Sequence, residues 1–356
     1  MSDRDWRVRL VRRLWRRRSW KARAARTALL PFSALYGTVV TLRALPYRLG
    51  IAGQRRLTLP AIAVGNLTVG GTGKTPLTAW IAAECRGAGR RPGILLRGYG
   101  RDEVLLHRHL VPEAVVVANP DRAAGAALAR MQGANVLVLD DAFQVLDTAR
   151  DLNIALLSAE QARVSPWVLP AGPWREGWGA LRRADLLIVT RKRAEAETAR
   201  ALADRLQARW PRKSVAVVRL GLAGFVGMRS GTPSSVETLR GRRIVVAAAI
   251  ADPESFAVQV RATGATVQLM AFQDHHEYGV RDVDRLVQGA RAADYLVVTE
   301  KDAVKLRALW PDDQPEPLVA ILELTWERNR EAVAAAIARV LAIPVRPTSS
   351  TTTHET

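Results

Sequence analysis

The residues best suited to chemistry form the string GGTGKT, which runs from residue 70 to residue 75. Glycines allow backbone angles that are closed to other residues, so successive N–H groups can point at the oxygens of one phosphate. Lys74 stands where it can supply positive charge to the outer phosphates, and the Thr75 hydroxyl suits Mg²⁺. Thr68 occupies a position that is usually glycine. The string predicts a nucleotide phosphate-binding loop made of Gly70, Gly71, Thr72, Gly73, Lys74 and Thr75.

Two adjacent acids, Asp140 and Asp141, end the apolar run VLVL. An acid at the end of a buried strand can reach the Mg²⁺ held by the threonine of a phosphate-binding loop. Because successive residues at a strand end point in different directions, the two carboxylates can do two jobs. We therefore predict that Asp140 joins Thr75 as a metal ligand and that Asp141 is catalytic. A surface turn also uses paired aspartates, and the preceding phosphate-binding loop favours the site.

A second group of ionisable residues lies in the string QDHHEY, from residue 273 to residue 278. A metal site is one interpretation, but two adjacent histidines and one acid have poor spacing for metal ligands. A histidine that is oriented by a carboxylate can move protons or stabilise charge. We expect one of His275 and His276 to act in that way, in a cleft between two halves of the chain.

The elements that position these residues are indicated by apolar runs that alternate with helical patterns, as in a parallel sheet covered on both faces. Before a polar break at 226–242 the runs include NVLVLDDAF, DLNIALLS, ADLLIVTR and SVAVVRL, and after it RRIVVAAAI, YLVVTEKDAVKL and LVAILELTW. The predicted fold class is α/β, with two α/β/α domains of mainly parallel sheets. The first domain is P-loop NTPase-like and follows an N-terminal membrane-associated helix. The predicted limits are a membrane-associated segment at 1–52, a P-loop core at 53–228, a smaller α/β domain at 229–344 and a disordered tail at 345–356.

The charge of the chain indicates an anionic partner. The net charge is +19, and residues 1–26 alone hold eleven Arg or Lys and two Asp, interleaved with Trp6, Trp15 and Trp20. The sixteen uncharged residues that follow, 27–42, are too few to cross a bilayer. We predict a segment that lies on an anionic membrane surface, peripheral rather than spanning. RNA binding, a signal peptide, and a solvated arm before a buried helix are the alternatives.

The single cysteine, Cys85, excludes a disulfide framework and fits a reducing compartment.

In their order along the chain, the motifs resemble those of the tetraacyldisaccharide 4′-kinases of lipid A biosynthesis. The matching strings are LLPFSALYGTVVTLRALPYRLGI, VGNLTVGGTGKTP, LRGYGR, NPDR, LDDAFQ, LPAGPWRE, ADLLIVTR, FQDHHEY and VVTEKDAVKL. The resemblance covers most of the chain and implies transfer of the γ-phosphoryl group of ATP, with Mg²⁺. The implied acceptor is the 4′-hydroxyl of a tetraacylated glucosamine disaccharide 1-phosphate, an anionic lipid. The implied location is the cytoplasmic face of the bacterial inner membrane.

The resemblance also assigns roles to residues. It matches the phosphate, metal, acidic-pair and catalytic histidine positions to Lys74, Thr75, Asp140, Asp141 and His275. In the family this histidine pairs with an aspartate of a Gly-Asp-Glu-Pro motif, which corresponds here to residues 101–104, RDEV. Asp102 is therefore the implied catalytic aspartate.

Two departures from the family pattern concern the site, and one further residue is a candidate on chemical grounds. The family usually has a longer insertion between RGYG and the catalytic aspartate, so the loop before Asp102 is shortened here. Val145 stands where the family commonly has histidine. Arg175, in LPAGPWRE, is a further candidate for stabilising the transferred charge, with a surface arginine as the alternative.

A second interpretation is a membrane-tethered P-loop ATPase or GTPase that acts as an assembly factor. It shares Lys74, Thr75 and the paired aspartates but does not predict the Asp-His-His cluster. A GTPase should carry Asn-Lys-x-Asp, and residues 299–302, TEKD, keep only the Lys-Asp half. The body of the chain has no recognisable RNA-binding module, so we predict no nucleic-acid partner.

Overall fold

The computed structural model describes residues 15, 19–98, 100–162 and 166–345. Trp6 and the rest of residues 1–14 lie outside this part of the chain, as do residues 346–356 of the predicted tail. The predictions for those segments therefore fall outside the described residues.

One sheet of twelve strands runs through the described part of the chain. Most strands are apolar along much of their length, and all six residues of the first are buried. In chain order the strands are β1 Ala61–Asn66, β2 Pro92–Leu96, β3 Val115–Ala118, β4 Val136–Leu139, β5 Leu152–Ser158, β6 Leu186–Arg191, β7 Ser214–Gly227, β8 Pro233–Ser234, β9 Arg243–Ala248, β10 Thr266–Ala271, β11 Tyr295–Thr299 and β12 Leu318–Arg328. Across the sheet their order is β10-β9-β11-β12-β7-β6-β5-β1-β4-β2-β3, with β8 paired to β7.

Two parallel blocks make up this sheet. The first block contains β1 to β7, and the second contains β9 to β12. They are joined where β12 pairs antiparallel with β7, from Leu318 opposite Gly227 to Arg328 opposite Val217. The predicted α/β class with mainly parallel pairing is confirmed, and both predicted blocks belong to one continuous sheet. The boundary predicted between 228 and 229 falls directly after β7, while the domain limits stay a prediction.

Helices cover both faces of the sheet. Within the described ranges they are α1 Trp20–Ala28, α2 Leu30–Arg48, α3 Lys74–Gly87, α4 Arg101–Leu110, α5 Arg122–Met131, α6 Ala159–Ala162, α7 Ala196–Arg209, α8 Pro253–Arg261, α9 Val280–Arg291, α10 Glu300–Leu306 and α11 Arg330–Leu341. Side chains of β1 alternate between the two faces, as the pleat of a strand requires. Ile62 packs with Leu77 of α3 on one face, and Ala63 packs with Ala126 of α5 on the other.

The last helix, α11, returns to the first block. Val333, Ile337 and Val340 of this helix are buried in the same apolar cluster as Ile62 and Leu77. Because β12 runs antiparallel to β7, its end brings the chain back beside the first block. The predicted C-terminal domain thus contributes a helix to the core of the P-loop half.

The helices α1 and α2 form a pair bent by 48°. No single helix in the described ranges has the length and apolar composition of a membrane span, whereas the bent pair taken together passes that test.

The two sides of α2 differ in what they contact. Ser33 is buried, donates a hydrogen bond from Oγ to the Val168 carbonyl oxygen at 3.0 Å, and accepts one from the Ala171 N–H at 2.9 Å. On another side of α2, large apolar side chains are exposed to solvent: Phe32, Leu35, Val39, Leu42 and Leu45. Their spacing of three or four residues gives one apolar stripe along the helix. One side of α2 is therefore attached to the body, and another side is an exposed apolar surface.

Candidate active site

A cleft of about 830 Å³ lies where the carboxyl ends of the first-block strands face the second block. Its walls include the loop between β1 and α3, the segment after β4, part of α4 and one side of α2. The second block supplies residues around Asp252, His275 and Lys301. Ligands of parallel α/β sheets bind at this edge, because loops from several strands converge there.

Glycine is required in the loop before α3 by its backbone shape. Gly70 has a φ of 122° and Gly73 a φ of 88°, in the region that other residues rarely adopt. A Cβ on Gly73 would lie 2.3 Å from Leu220 Cδ1, so the loop also packs tightly against β7. Asn66 Nδ2 donates to the Thr68 carbonyl oxygen at 2.8 Å and closes the loop at its base. The conformation of the predicted phosphate-binding loop is thus fixed by its glycines and by its packing against β7.

Lys74 and Thr75 begin α3 and line the cleft. Lys74 Nζ donates to Asn66 Oδ1 at 3.4 Å and lies 3.6 Å from Asp141 Oδ1. The N-terminus of a helix carries partial positive charge and free N–H groups, so it attracts phosphate together with the lysine. The structure therefore brings the predicted phosphate and metal side chains to one end of α3.

Asp140 directly follows β4 and is 5% exposed. Its Oδ1 accepts the Asp141 N–H at 2.8 Å, and its Oδ2 lies 3.0 Å from Nε2 of the fully buried His107. Arg122, also buried, donates to the Asp140 carbonyl oxygen at 3.2 Å. Burial raises the pKa of the Asp140 carboxyl, but the His107 hydrogen bond and the charge of Lys74 outweigh it, so the pKa is lowered overall.

Asp141 turns away from its neighbour, with a φ of 47°. Arg175 Nη1 donates to both carboxylate oxygens of Asp141 at 3.2 Å, and Lys74 approaches from the other side. Arg175 Nη1 also lies 3.4 Å from Gln144 Oε1. The two acids thus have different partners: Asp140 is held by His107 and the Asp141 N–H, and Asp141 contacts two cations. Both line the cleft.

Asp102 lies in the first turn of α4 and meets His275 from the second block. His275 Nδ1 lies 3.0 Å from Asp102 Oδ2 and 3.2 Å from Oδ1. Asp102 is 3% exposed and the His275 side chain 42% exposed, so the ring covers the carboxylate and faces the cleft. Gly100 leaves room for this contact, since a Cβ there would lie 2.3 Å from Asp102 Oδ1.

Two lysines of α10 add positive charge behind the pair. Lys301 Nζ is 3.4 Å and Lys305 Nζ 3.8 Å from Asp102 Oδ2. Lys305 also lies 3.8 Å from Asp302, which is fully buried and accepts hydrogen bonds from Tyr278 and Thr299 hydroxyls at 3.0 and 2.6 Å. A chain of alternating charges therefore connects the buried side of α10 with Asp102.

The environment separates the pKa values of the pair. Burial alone would raise the pKa of Asp102, but the His275 hydrogen bond and the charges of Lys301 and Lys305 hold it well below its usual range. The hydrogen bond with Asp102 raises the pKa of His275, against burial and Lys301, which lower it. An aspartate in this setting stays ionised through neutral pH.

The structure brings most of the predicted site residues together around one cleft. Asp102 and His275 meet directly, and Lys74 meets Asp141. His276, in the same string as His275, instead lies 2.9 Å from Asp282 of α9 and packs against Phe272. Sequence reasoning missed His107, Lys301 and Lys305 as partners, because a helix position carries no motif for a contact made across the fold.

Lys192 was also missed. It lines the cleft, and its Nζ would lie 3.5 Å from a Cβ on Gly71. Burial lowers the pKa of Lys192, against Asp252 and Glu160, which raise it. The string TRK at the end of β6 held no signal for this position beyond its place at a strand end.

Within the described ranges, no group of three or more His, Cys, Asp or Glu side chains is placed to hold a metal ion. Thr75, Asp140 and Asp141 are among the oxygen-bearing side chains that line the cleft.

Comparison with known proteins places these features in one family. The model of the tetraacyldisaccharide-1-P 4′-kinase family matches residues 25–105 and 101–342. The tetraacyldisaccharide 4′-kinase of Pelobacter propionicus is 38% identical over 336 residues, which cover 86% of this chain and 91% of that protein. The enzyme of the same name from Geobacter sulfurreducens is 37% identical over 303 residues, covering 78% and 83%.

A solved structure is similar over nearly the same length. It is the "apo" form of LpxK from Aquifex aeolicus in complex with ATP, with a TM-score of 0.69 and 27% sequence identity. The match covers 89% of this chain and 99% of that chain.

Proposed function

The chain belongs to the tetraacyldisaccharide-1-P 4′-kinase family, and from that premise we propose that it transfers the γ-phosphoryl group of ATP to the 4′-hydroxyl of a tetraacylated glucosamine disaccharide 1-phosphate. One observation carries this proposal. The phosphate-binding loop and His275, which holds Asp102, line the same cleft from two different blocks of the sheet. A donor and an acceptor can therefore meet between them.

The donor side is the loop before α3. Its N–H groups, Lys74 and the first turn of α3 bind the β and γ phosphates of ATP. Asp141 keeps Lys74 and Arg175 directed at the phosphates, since it contacts both cations. Phosphoryl transfer requires little covalent work from a protein, so placing these charges is most of the catalysis.

Mg²⁺ fits the oxygens at this end of the cleft. Thr75 and Asp140 offer a hydroxyl and a carboxylate, the hard oxygen ligands that Mg²⁺ prefers. Mg²⁺ commonly combines one or two carboxylates with the phosphates of its substrate rather than using a cage made only of protein. Bound with the nucleotide, Mg²⁺ would neutralise charge on the phosphates. Thr75 and Asp140 are the residues that would hold it.

The acceptor side is the Asp102–His275 pair. The pair accepts the proton of the attacking 4′-hydroxyl: His275 faces the cleft, and Asp102, buried beneath the ring, orients it and supplies the negative charge. The lowered pKa makes Asp102 a weak base that is always ionised. That property suits a loose transition state, in which the acceptor hydroxyl must be oriented rather than deprotonated early. Lys301 lies beside both groups and adds positive charge next to the developing phosphate.

The lipid substrate agrees with the position of α2. Tyr36, Val40, Arg43 and Tyr47 line the cleft, while the exposed apolar stripe defined above lies along the same helix. The stripe enters the headgroup region of an anionic leaflet, and nearby arginines contact lipid phosphates. The protein is thereby held peripherally at the cytoplasmic face of the inner membrane, with the cleft open toward its acyl-chain substrate.

Product analysis tests the proposal. The protein is incubated with γ-labelled ATP and a tetraacyl disaccharide 1-phosphate in detergent micelles, and the labelled lipid is located by mass spectrometry and ³¹P NMR. We expect a second phosphate at the 4′ position, and its loss in Lys74→Ala with an unchanged melting temperature. ATP hydrolysis without a labelled lipid would contradict the proposal and favour the membrane-tethered assembly ATPase.

A further inference from the structure

A buried histidine faces the predicted metal-binding carboxylate from inside the protein. His107, on α4, is fully buried, and its Nε2 lies 3.0 Å from Asp140 Oδ2. It is not in any of the motifs that define the site, and the mechanism above does not use it. Asp102, at the start of the same helix, belongs to the acceptor side.

The hydrogen bond between His107 and Asp140 can have only one direction. An ionised carboxylate can only accept a hydrogen bond, so Nε2 of His107 must carry the hydrogen. Nδ1 of His107 is buried and has no hydrogen-bond partner among the residues that the structure describes. Burying an unprotonated Nδ1 costs less free energy than burying an N–H group that has no acceptor. This also favours the tautomer that carries its hydrogen on Nε2. His107 therefore donates to Asp140 from a fixed ring.

The two oxygens of Asp140 are each held by one donor. The Asp141 N–H binds Oδ1, and His107 binds Oδ2. The carboxylate is thereby fixed in one orientation, with lone pairs left toward the cleft that it lines. Ligating carboxylates are commonly fixed in this way, and loss of such a partner lowers metal affinity by about 10- to 100-fold.

We propose that His107 is a positioning residue that orients the Asp140 carboxylate for the divalent cation of the nucleotide complex. The inference rests on the proposed metal site at Thr75 and Asp140. The same helix then holds both sides of the reaction, since Asp102 at its start meets His275 and His107 five residues later meets Asp140. Five residues correspond to about 1.4 turns, so the two side chains leave the helix in different directions.

The test measures metal binding directly. Mn²⁺, which takes oxygen ligands as Mg²⁺ does, is titrated in the presence of a non-hydrolysable ATP analogue, and free Mn²⁺ is read by electron paramagnetic resonance. In His107→Leu we expect Mn²⁺ affinity to fall by about 10- to 100-fold. In His107→Gln, whose amide N–H lies near the position of Nε2, it should stay close to that of the unmodified protein. In EDTA, without free metal, the ATP analogue should bind equally to the unmodified protein and to every variant.

A matched control is available on the same helix. His109 is exposed, so His109→Leu should leave Mn²⁺ affinity unchanged. If His107→Leu does not fold, His107→Asn replaces it, because the shorter amide cannot reach Asp140 Oδ2 in the same way. Mn²⁺ affinity that is unchanged in the folded variant, or equally weakened in His107→Gln, overturns the positioning role.

Asp140→Asn separates this inference from the proposed metal site. Retained Mn²⁺ binding in Asp140→Asn would overturn the metal site and, with it, the role of His107. Weakened binding in Asp140→Asn together with normal binding in His107→Leu would overturn the inference alone.

Discussion

At the scale of single residues, the site depends on carboxylates whose surroundings differ. Asp102 is buried against His275 and two lysines, Asp140 is buried against His107, and Asp141 faces Lys74 across 3.6 Å. Adjacent or similar residues thereby acquire different tasks without any difference in chemical type. In the proposed mechanism, these pairings, rather than the presence of aspartate, decide which carboxylate serves the acceptor.

The pH dependence of the reaction should report the Asp102–His275 pair. The folded pKa of Asp102 lies below its ordinary value, so the ionised base persists as the pH falls. Removing His275 takes away the strongest influence that lowers this pKa and leaves burial to raise it. In His275→Ala we therefore expect the acid limb of kcat/KM to move to higher pH, in a profile measured down to about pH 4, where an ordinary aspartate titrates. An acid limb that coincides with that of the unmodified protein would contradict the pairing.

At the scale of elements, the phosphate-binding loop is defined by its strand, its glycines and the start of α3. Gly73 combines a φ of 88° with close packing against Leu220. Its conformation is closed to residues with a Cβ unless the loop moves. The loop therefore owes its shape to backbone sterics, and Lys74 and Thr75 owe their positions to the loop.

Alanine at position 73 should damage both stability and nucleotide binding. The left-handed backbone alone costs about 1–2 kcal/mol for a residue with a Cβ, and the contact with Leu220 adds to it. We expect Gly73→Ala to lower the free energy of unfolding by at least about that amount and to weaken ATP binding in calorimetry. Gly87, at the other end of α3, has open space around a Cβ. Gly87→Ala is the control and should be neutral or stabilising, and equal behaviour of the two variants would contradict the account.

Much of the secondary structure around the site was predictable from the sequence. The apolar runs predicted the strands because residues of a covered parallel strand are buried on both faces. The string from Ala61 to Ile81 predicted strand, loop and helix in the right order. Periodicity reports only local burial, so it did not predict that β7 and β12 join two blocks or that α11 returns to the first. The Asp102–His275 contact was expected from the resemblance, whereas the contacts of His107, Lys301 and Lys305 depend on packing between distant helices.

At the scale of the whole molecule, the cleft and the apolar stripe of α2 share one helix. Arg43 and Tyr47 face the cleft, and Phe32, Leu35 and Val39 are exposed. A substrate with acyl chains in a bilayer and a sugar headgroup at its surface requires such an arrangement. If the proposed membrane attachment holds, attachment and substrate access both depend on α2.

Charged residues in the apolar stripe of α2 should weaken binding to membranes without affecting ATP binding. Burial of one such side chain contributes about 1.5–3 kcal/mol, so Leu35→Glu with Val39→Glu should lower the affinity for anionic vesicles by at least tenfold. Met131, at the end of α5, is 83% exposed and provides the control Met131→Glu. Binding is read by vesicle co-sedimentation, and ATP binding should not change. Equal sedimentation of the two variants would contradict membrane attachment through α2.

We propose that Asp102 serves the transfer of the phosphoryl group to the lipid, and this role is tested by single-turnover transfer from labelled ATP. Asp102→Asn keeps the shape of the side chain but removes its charge, and Asp284→Asn, an exposed aspartate of α9, is the matched control. We expect Asp102→Asn to bind ATP normally and to transfer the phosphoryl group about 10²- to 10⁴-fold more slowly, while Asp284→Asn transfers at the normal rate. Transfer by Asp102→Asn at the rate of the unmodified protein would rule out the proposed role of Asp102.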